Sequence, residues 1–186
     1  GCRLRPAGQE EAGQTVVHPG ASPCQEMRMI HSSGESRIHA GDVVIPTDSV
    51  LREGELDLPP NAPRIVIFAH RSGSSRHSPR NQFVARVIRE GGMGTLLFDL
   101  LTKREEILDQ ATRRLAFDIK LLADRLVSAA RWVAHHPATA GLRTGFFGAS
   151  TGGGAALVAA ARLGRAVGAV VSRGGRPDLA GEALAD

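Results

Sequence analysis

The feature that most constrains this chain of 186 residues is a turn of small residues around Ser150, in the segment GFFGASTGGG at positions 145–154. An apolar run precedes the turn and a helix-forming run follows it, so the spacing Gly-x-Ser-x-Gly falls on a sharp strand-to-helix connection. Small residues at Gly148 and Gly152 let the backbone pass close on either side of a strained serine. The letters alone would also fit a plain tight connection. The flanking strand and helix favour a serine nucleophile held clear of the sheet.

The helix predicted after Ser150 adds electrostatic support for this interpretation. Its N-terminus favours developing negative charge, and the amide of Thr151 is placed to donate to an oxyanion. A competing hypothesis is a dinucleotide-binding loop, with Arg173 at the end of the next strand meeting an NADP 2′-phosphate. The spacing of Gly148 and Gly152 does not fit Gly-x-Gly-x-x-Gly, and the loop follows the fifth predicted strand instead of opening a domain. The nucleophile is therefore the favoured interpretation.

Buried strands are predicted where unbroken apolar runs alternate with helical stretches. These runs cover residues 65–69, 95–98, 145–147 and 167–171. Two earlier short strands are predicted at 43–46 and 51–58, the second alternating polar and apolar residues as a half-exposed antiparallel strand does. The order predicts an α/β fold with a doubly wound, mostly parallel sheet.

Capping residues mark the predicted helices. One helix begins at Ser78 and Pro79 and ends at a pair of glycines. Thr102 and Glu105 form a capping box, and apolar residues then recur every three or four positions from 108 to 133. This stripe predicts one continuous helical segment that closes at the His-Pro pair beginning at residue 136.

Composition and charge limit the classes of function. The net charge is +4, but the arginines are scattered and no basic run carries interleaved aromatics, so no nucleic-acid partner is expected. Cys2 and Cys24 supply neither a disulfide framework nor a metal site, so we expect no metal, no cofactor and a cytoplasmic location. No apolar run reaches the ~20 residues of a membrane span. Residues 1–37 read as a poorly ordered leader, followed by one domain over 38–186.

Five ordered segments carry a family resemblance: FAHRSGSSRHSPRN, TLLFDLLT, FDIKLLADRL, GFFGASTGGGAAL and VVSRGGRPDLA. They resemble the dienelactone-hydrolase-like α/β hydrolases, especially a bacterial group sometimes linked to phosphoribosyltransferase domains. The resemblance covers about residues 40–186. It implies that Ser150 attacks an acyl carbonyl of an ester or thioester and that the amides of Ser72 and Thr151 bind the oxyanion. Dienelactone hydrolases proper use a cysteine nucleophile, so the resemblance does not imply lactone specificity.

Two departures from the family pattern affect these expectations. Arg71 stands where the family has glycine, and arginine resists the positive φ that this loop can need. The family places its acid after a seventh strand and its histidine after an eighth, whereas this sequence stops at Asp186. We therefore expect the last strands to be absent and residues 1–186 to be inactive or impaired. Asp178, after the sixth strand, is an alternative acid, although an N-cap for a helix starting at Leu179 is the favoured interpretation.

Loops at the C-terminal edge of the predicted strands carry arginines that could bind an anionic substrate. They are Arg71, Arg76, Arg80, Arg173 and Arg176. His70 and His77 lie in the same region, but the resemblance gives His70 a structural position, and neither is favoured as the general base. The expected partner is a small acyl substrate, and the alternative is a catalytically silent binding module of the same fold.

Overall fold

A computed structural model describes residues 39–47, 50–70 and 75–184. The predicted leader over residues 1–37 lies outside the described residues, as do Arg71 and Ser72. Six strands form in chain order: β1 His39–Thr47, β2 Val50–Leu58, β3 Arg64–Ala69, β4 Gly94–Phe98, β5 Arg143–Ala149 and β6 Val167–Arg173. Four α-helices join them: α1 Pro79–Glu90, α2 Lys103–Thr112, α3 Ile119–His135 and α4 Thr151–Leu163. Short 3₁₀ turns occupy Leu115–Phe117, Gly164–Ala166 and Pro177–Leu184.

The six described strands form one sheet in the order β1-β2-β4-β3-β5-β6. The first two pair antiparallel with their neighbours, and β3, β4, β5 and β6 run parallel. This arrangement confirms the mostly parallel sheet predicted from the apolar runs, because parallel strands with covered faces read as continuous apolar sequence. It also confirms that the two earliest strands form an antiparallel edge.

Helices cover both faces of this sheet and divide the core. Ile65, Ile67 and Phe146 face helices α3 and α4 in the larger apolar cluster. Phe68 and Leu97 belong to a smaller cluster under α1. The carboxyl ends of β3, β4, β5 and β6 lie at one edge of this layered structure, the edge where open α/β sheets bind ligands.

The single helical segment predicted from 102 to 136 is wrong, because the structure holds two helices. Arg113 adopts a left-handed conformation, with φ 52°, and ends α2. The Asp109 carboxylate then accepts hydrogen bonds, at 2.7 and 3.0 Å, from the first two amides of the 3₁₀ turn Leu115–Phe117. Asp118 caps α3 with its side chain. Polar side chains thus satisfy the backbone groups that the break leaves without helical partners.

A buried ion network joins β2, α2 and α3. The side chains of Arg52 and Arg125 are 1% and 4% exposed, and both donate to Glu105, at 3.1 and 2.5 Å. Glu105 also accepts from the Thr102 amide, which confirms the predicted capping box. Burial by itself would raise the pKa of Glu105, but the hydrogen bonds from Arg125 and Thr102 and the two positive charges lower it to about 2. The carboxylate therefore stays ionised between the two guanidinium groups.

Candidate active site

Ser150 lies at the turn between β5 and α4, at the carboxyl edge of the parallel strands. Its backbone has φ 53° and ψ −126°, an unusual conformation for a residue other than glycine. Its carbonyl accepts hydrogen bonds from the amides of Gly153 and Arg176, at 3.0 and 3.1 Å, which hold the turn on both sides. The side chain makes no capping bond to α4. Strain of this kind persists where the surrounding structure fixes it, and it clusters at functional positions.

Two glycines make this turn possible by close approach of the backbone. A Cβ on Gly152 would lie 2.0 Å from the carbonyl oxygen of Ala69 and 3.0 Å from that of His70. A Cβ on Gly148 would lie 2.6 Å from the Cα of Gly153. Neither position has room for a side chain, as the Gly-x-Ser-x-Gly spacing predicted. The turn is consequently seated directly against the end of β3.

Strand register brings the chain after β3 and the chain after β6 to either side of Ser150. Ala69 pairs with Gly148, and Arg173 pairs with Ala149. Thr151 is the first residue of α4, so its amide belongs to the free N–H groups at the helix N-terminus. The proposed partner amide, that of Ser72, lies outside the described residues, together with the unusual Arg71.

His70 is buried, with 4% of its surface exposed, and occupies a structural position. Its Nε2 lies 2.8 Å from the carbonyl oxygen of Phe98 and 3.4 Å from a carboxylate oxygen of Asp99. Because a carbonyl only accepts hydrogen bonds, Nε2 carries the proton and donates. This contact supports the structural role that the resemblance gave to His70. His77 is exposed in the turn before α1.

Two of the arginines predicted to bind anions are already paired with carboxylates of the chain itself. Arg76 binds Asp99 with one guanidinium nitrogen and Glu53 with the other, the latter at 2.7 Å. Arg176 binds the Asp178 carboxylate at 2.6 to 3.1 Å. Any anion at these two positions would compete with a carboxylate of the chain itself.

Arg80 and Arg173 are exposed, Arg80 in the first turn of α1 and Arg173 at the end of β6. The structure therefore keeps both side chains accessible from solvent, and Arg173 lies in register beside the residue that precedes Ser150. The anion site stays a prediction, with Arg173 its best-placed member.

Asp178 does not begin a helix at Leu179 as predicted. The 3₁₀ turn already begins at Pro177, which places Asp178 inside it. The Arg176 hydrogen bond and its positive charge lower the pKa of the exposed Asp178 carboxyl. The side chain is therefore used locally, to pair with Arg176, instead of capping a helix.

Asp99 directly follows β4 at the same edge and was not among the site residues predicted from the sequence. Its carboxylate accepts from the amide of Arg76 at 2.8 Å and contacts His70. Burial alone would raise the pKa of Asp99, but these partners lower it to about 2. A cavity of about 510 Å³ lies beside it, lined among others by Glu53, His77 and Lys103. The position directly after a buried parallel strand was the available signal.

The described part of the chain contains neither a metal-ligand cluster nor a membrane-spanning helix. None of its His, Cys, Asp and Glu side chains form a group of three or more that could hold a metal ion. None of its helices combines the length and apolar character needed to cross a bilayer.

Solved structures with this architecture include several hydrolases. A dienelactone hydrolase from Anabaena variabilis is 56% identical, with a TM-score of 0.76 over 78% of this chain and 68% of that chain. A dienelactone-hydrolase-like promiscuous phosphotriesterase from metagenomic libraries is 19% identical, with a TM-score of 0.59 over 74% of this chain and 59% of its own. An esterase from Pyrococcus furiosus is 20% identical, with a TM-score of 0.57 over 74% and 51%. The last two show the fold alone.

Among curated proteins, the chain is 50% identical over 159 residues to a protein of two Mycobacterium tuberculosis strains that is named provisionally as a phosphoribosyl transferase. The match covers 86% of this chain but 35% of the mycobacterial protein. The chain therefore spans about a third of the length of these relatives. No protein-family profile matches the chain.

Proposed function

The chain belongs to the dienelactone-hydrolase-like α/β hydrolases, and we propose that it is a serine hydrolase that cleaves an ester, thioester or related acyl bond through an acyl-enzyme on Ser150. The observation that carries this proposal is the strained backbone of Ser150 between β5 and α4. A positive φ of 53° is strained for a residue other than glycine, and such strain is typical of functional positions. In a nucleophile turn it holds the serine hydroxyl clear of the carboxyl edge of the sheet.

The chemistry follows the acyl-transfer pattern. The Ser150 oxygen bonds to the acyl carbon while a general base takes its proton, and the carbonyl oxygen becomes an oxyanion that receives hydrogen bonds from the Thr151 and Ser72 amides. The carbon–oxygen or carbon–sulfur bond then breaks, and the base returns the proton to the leaving group. Water next bonds to the acyl carbon and gives its proton to the base. The bond between that carbon and the Ser150 oxygen then breaks, the carboxylic acid leaves, and the base returns the proton to the Ser150 oxygen.

The base is a histidine of the kind that the family resemblance places after the nucleophile. His70 donates Nε2 to a backbone carbonyl, which ties up that nitrogen. The described residues that follow Ser150 include no histidine. We therefore expect this chain to hydrolyse p-nitrophenyl acetate only slowly, since a serine hydroxyl without a base is a weak nucleophile. If this chain hydrolyses the ester fast and Ser150→Ala abolishes that activity, a base such as His77 must be able to accept the Ser150 proton.

For substrate, we propose a small acyl compound with an anionic group near the Arg173 side of the site, in a protein of the bacterial cytoplasm that needs no cofactor. Arg173 is exposed beside the nucleophile, and a guanidinium can hold a carboxylate through two parallel hydrogen bonds. We assign acyl hydrolysis and not phosphoribosyl transfer to this chain because the solved structure to which it is 56% identical, and of which it covers 68%, is a dienelactone hydrolase. The name of the mycobacterial relatives concerns a protein of which this chain covers 35%.

Covalent labelling tests the proposal. A fluorophosphonate should modify the full-length protein at Ser150, with the modified residue located by peptide mass spectrometry. Ser150→Ala should remove both the label and the turnover of p-nitrophenyl acetate. A catalytically silent binding module is the competing hypothesis, and it predicts no labelling above a heat-denatured control. Labelling at another serine would also contradict the assignment.

A further inference from the structure

We propose that Asp99 is a positioning residue for the reaction at Ser150, because its carboxylate holds both described ends of the loop that leaves β3 beside the nucleophile. This role rests on the serine-hydrolase function proposed above. In this role Asp99 does not touch the reacting atoms. It acts through His70 and Arg76, which lie six positions apart in the sequence and contact the same carboxylate oxygen.

The first end of the loop is held at His70. The ring Nε2 lies 2.8 Å from the Phe98 carbonyl oxygen and 3.4 Å from Oδ1 of Asp99. The main chain at His70 in turn packs on the nucleophile turn, since a Cβ on Gly152 would lie 3.0 Å from the His70 carbonyl oxygen. Fixing the His70 side chain therefore fixes the backbone against which the turn is seated.

The second end is held at Arg76. Its amide donates to Oδ1 of Asp99 at 2.8 Å, and its guanidinium donates to Oδ2 and to Glu53. Its carbonyl accepts from the side-chain amide of Gln82 in α1 at 3.0 Å. Arg76 is thus attached to β2, to α1 and to the residue after β4, so its backbone has a defined place relative to His70.

One carboxylate consequently sets the separation of the two ends. Its two oxygens are a fixed distance apart, and the low pKa of Asp99 keeps both as acceptors in the neutral pH range. The His70 end carries the carbonyl oxygen that lies against Gly152, so a shift of this end moves the turn that holds Ser150. Misplacing a reacting group by about 1 Å can cost about 10²-fold in rate. A shift in the spacing of the ends should accordingly lower the rate of the chemical step more than substrate binding.

The test uses the full-length protein with Asp99→Asn, which keeps the shape and removes the charge, and Asp99→Glu, which keeps the charge and lengthens the side chain. Arg76→Lys leaves the backbone contact to Asp99 but cannot bridge to Glu53. The matched control is Asp124→Asn, which also loses ion pairs to an arginine and a lysine but lies near the opposite end of α4. Reactive serine is titrated with a fluorophosphonate, so that unfolded molecules are not counted.

We expect kcat per titrated serine to fall about 10-fold or more in both Asp99 variants with KM changed less than about 2-fold. The inhibition constant of a trifluoromethyl ketone, whose adduct places an oxyanion in the same site, should rise in parallel. The kcat of Arg76→Lys should lie between those of wild type and Asp99→Asn. The kcat of Asp124→Asn should equal that of wild type.

A merely structural role predicts less titratable serine but normal kcat and normal ketone affinity in the molecules that react, and that result would overturn the proposal. Equal loss in Asp124→Asn would also overturn it. If wild-type turnover persists in Ser150→Ala, the hydrolase function itself is wrong, and the role of Asp99 falls with it. If Ser150→Ala abolishes turnover but Asp99→Asn has the kcat of wild type, the hydrolase function stands and only the positioning role is wrong.

Discussion

Replacing Glu105 by glutamine tests the buried ion network that joins β2 to α2 and α3. The carboxylate bridges two guanidinium groups that are 1% and 4% exposed, so Glu105→Gln leaves Arg52 and Arg125 in the interior without this negative charge. The pKa of Glu105, lowered from 4.5 to about 2, corresponds to roughly 3 kcal/mol by linkage. The side chain is 24% exposed, and solvent screening reduces this contribution to about 2 kcal/mol. We expect Glu105→Gln to lower the free energy of unfolding at pH 7 by about 2 to 4 kcal/mol, since breaking a buried pair leaves a charge uncompensated.

The pH dependence of this contribution has a definite sign. The folded state holds the pKa of Glu105 below its unfolded value of 4.5, so the stabilisation is complete above pH 4.5 and disappears as the pH falls towards about 2. Asp99 titrates over a similar range, with a pKa also lowered to about 2. Both proteins keep Asp99, so its contribution cancels in the difference between their free energies of unfolding. That difference should shrink as the pH falls from 4.5 to 2.

Urea denaturation followed by circular dichroism at several pH values measures this difference. Glu106→Gln is the matched control, because burial and the nearby Asp99 charge raise the pKa of that neighbouring carboxyl. A raised pKa means that ionised Glu106 is unfavourable in the folded state, so Glu106→Gln should be neutral or slightly stabilising at pH 7. A Glu105→Gln variant as stable as wild type at pH 7 would refute the reasoning. So would a difference that stays constant from pH 5 to pH 2.5.

Three further predictions concern the site. Gly152→Ala should slow labelling of the nucleophile by about 100-fold, because its Cβ would lie 2.0 Å from a backbone carbonyl oxygen of β3 and must push the turn away; Gly168→Ala, whose nearest atom is 3.8 Å distant, should label at the wild-type rate. Arg71→Gly should increase the acylation rate of the full-length protein by restoring backbone freedom, and an unchanged or lower rate would show that the arginine is tolerated or useful. Sulfate should raise the melting temperature, and the double change Arg173→Ala with Arg176→Ala should remove that shift; no shift in the wild type would dispose of the anion site.

The sequence by itself determined the fold class and the position of the glycine turn at Ser150. Continuous apolar runs predicted the parallel strands because a strand buried on both faces has no polar side to display. Gly148 and Gly152 identified the turn at Ser150 because close backbone approach excludes side chains, and the structure gives φ 53° at that serine. Strand burial and close backbone approach each restrict a short run of neighbouring residues, so both can be recognised in the local sequence.

Long-range contacts were decided only by the tertiary structure. The apolar stripe did not predict the break at Arg113, because the apolar residues recur across it without interruption. The break is stabilised by the Asp109 carboxylate, which accepts hydrogen bonds from the turn that follows. The sequence offered Arg76 as a possible ligand for an anionic substrate, yet β2 and the residue after β4 bring two carboxylates to it. The partners lie 23 positions away along the chain on both sides, and no local pattern encodes a contact over such a distance. Charge pairing between such distant residues therefore depends on strand order, which only the packed sheet fixes.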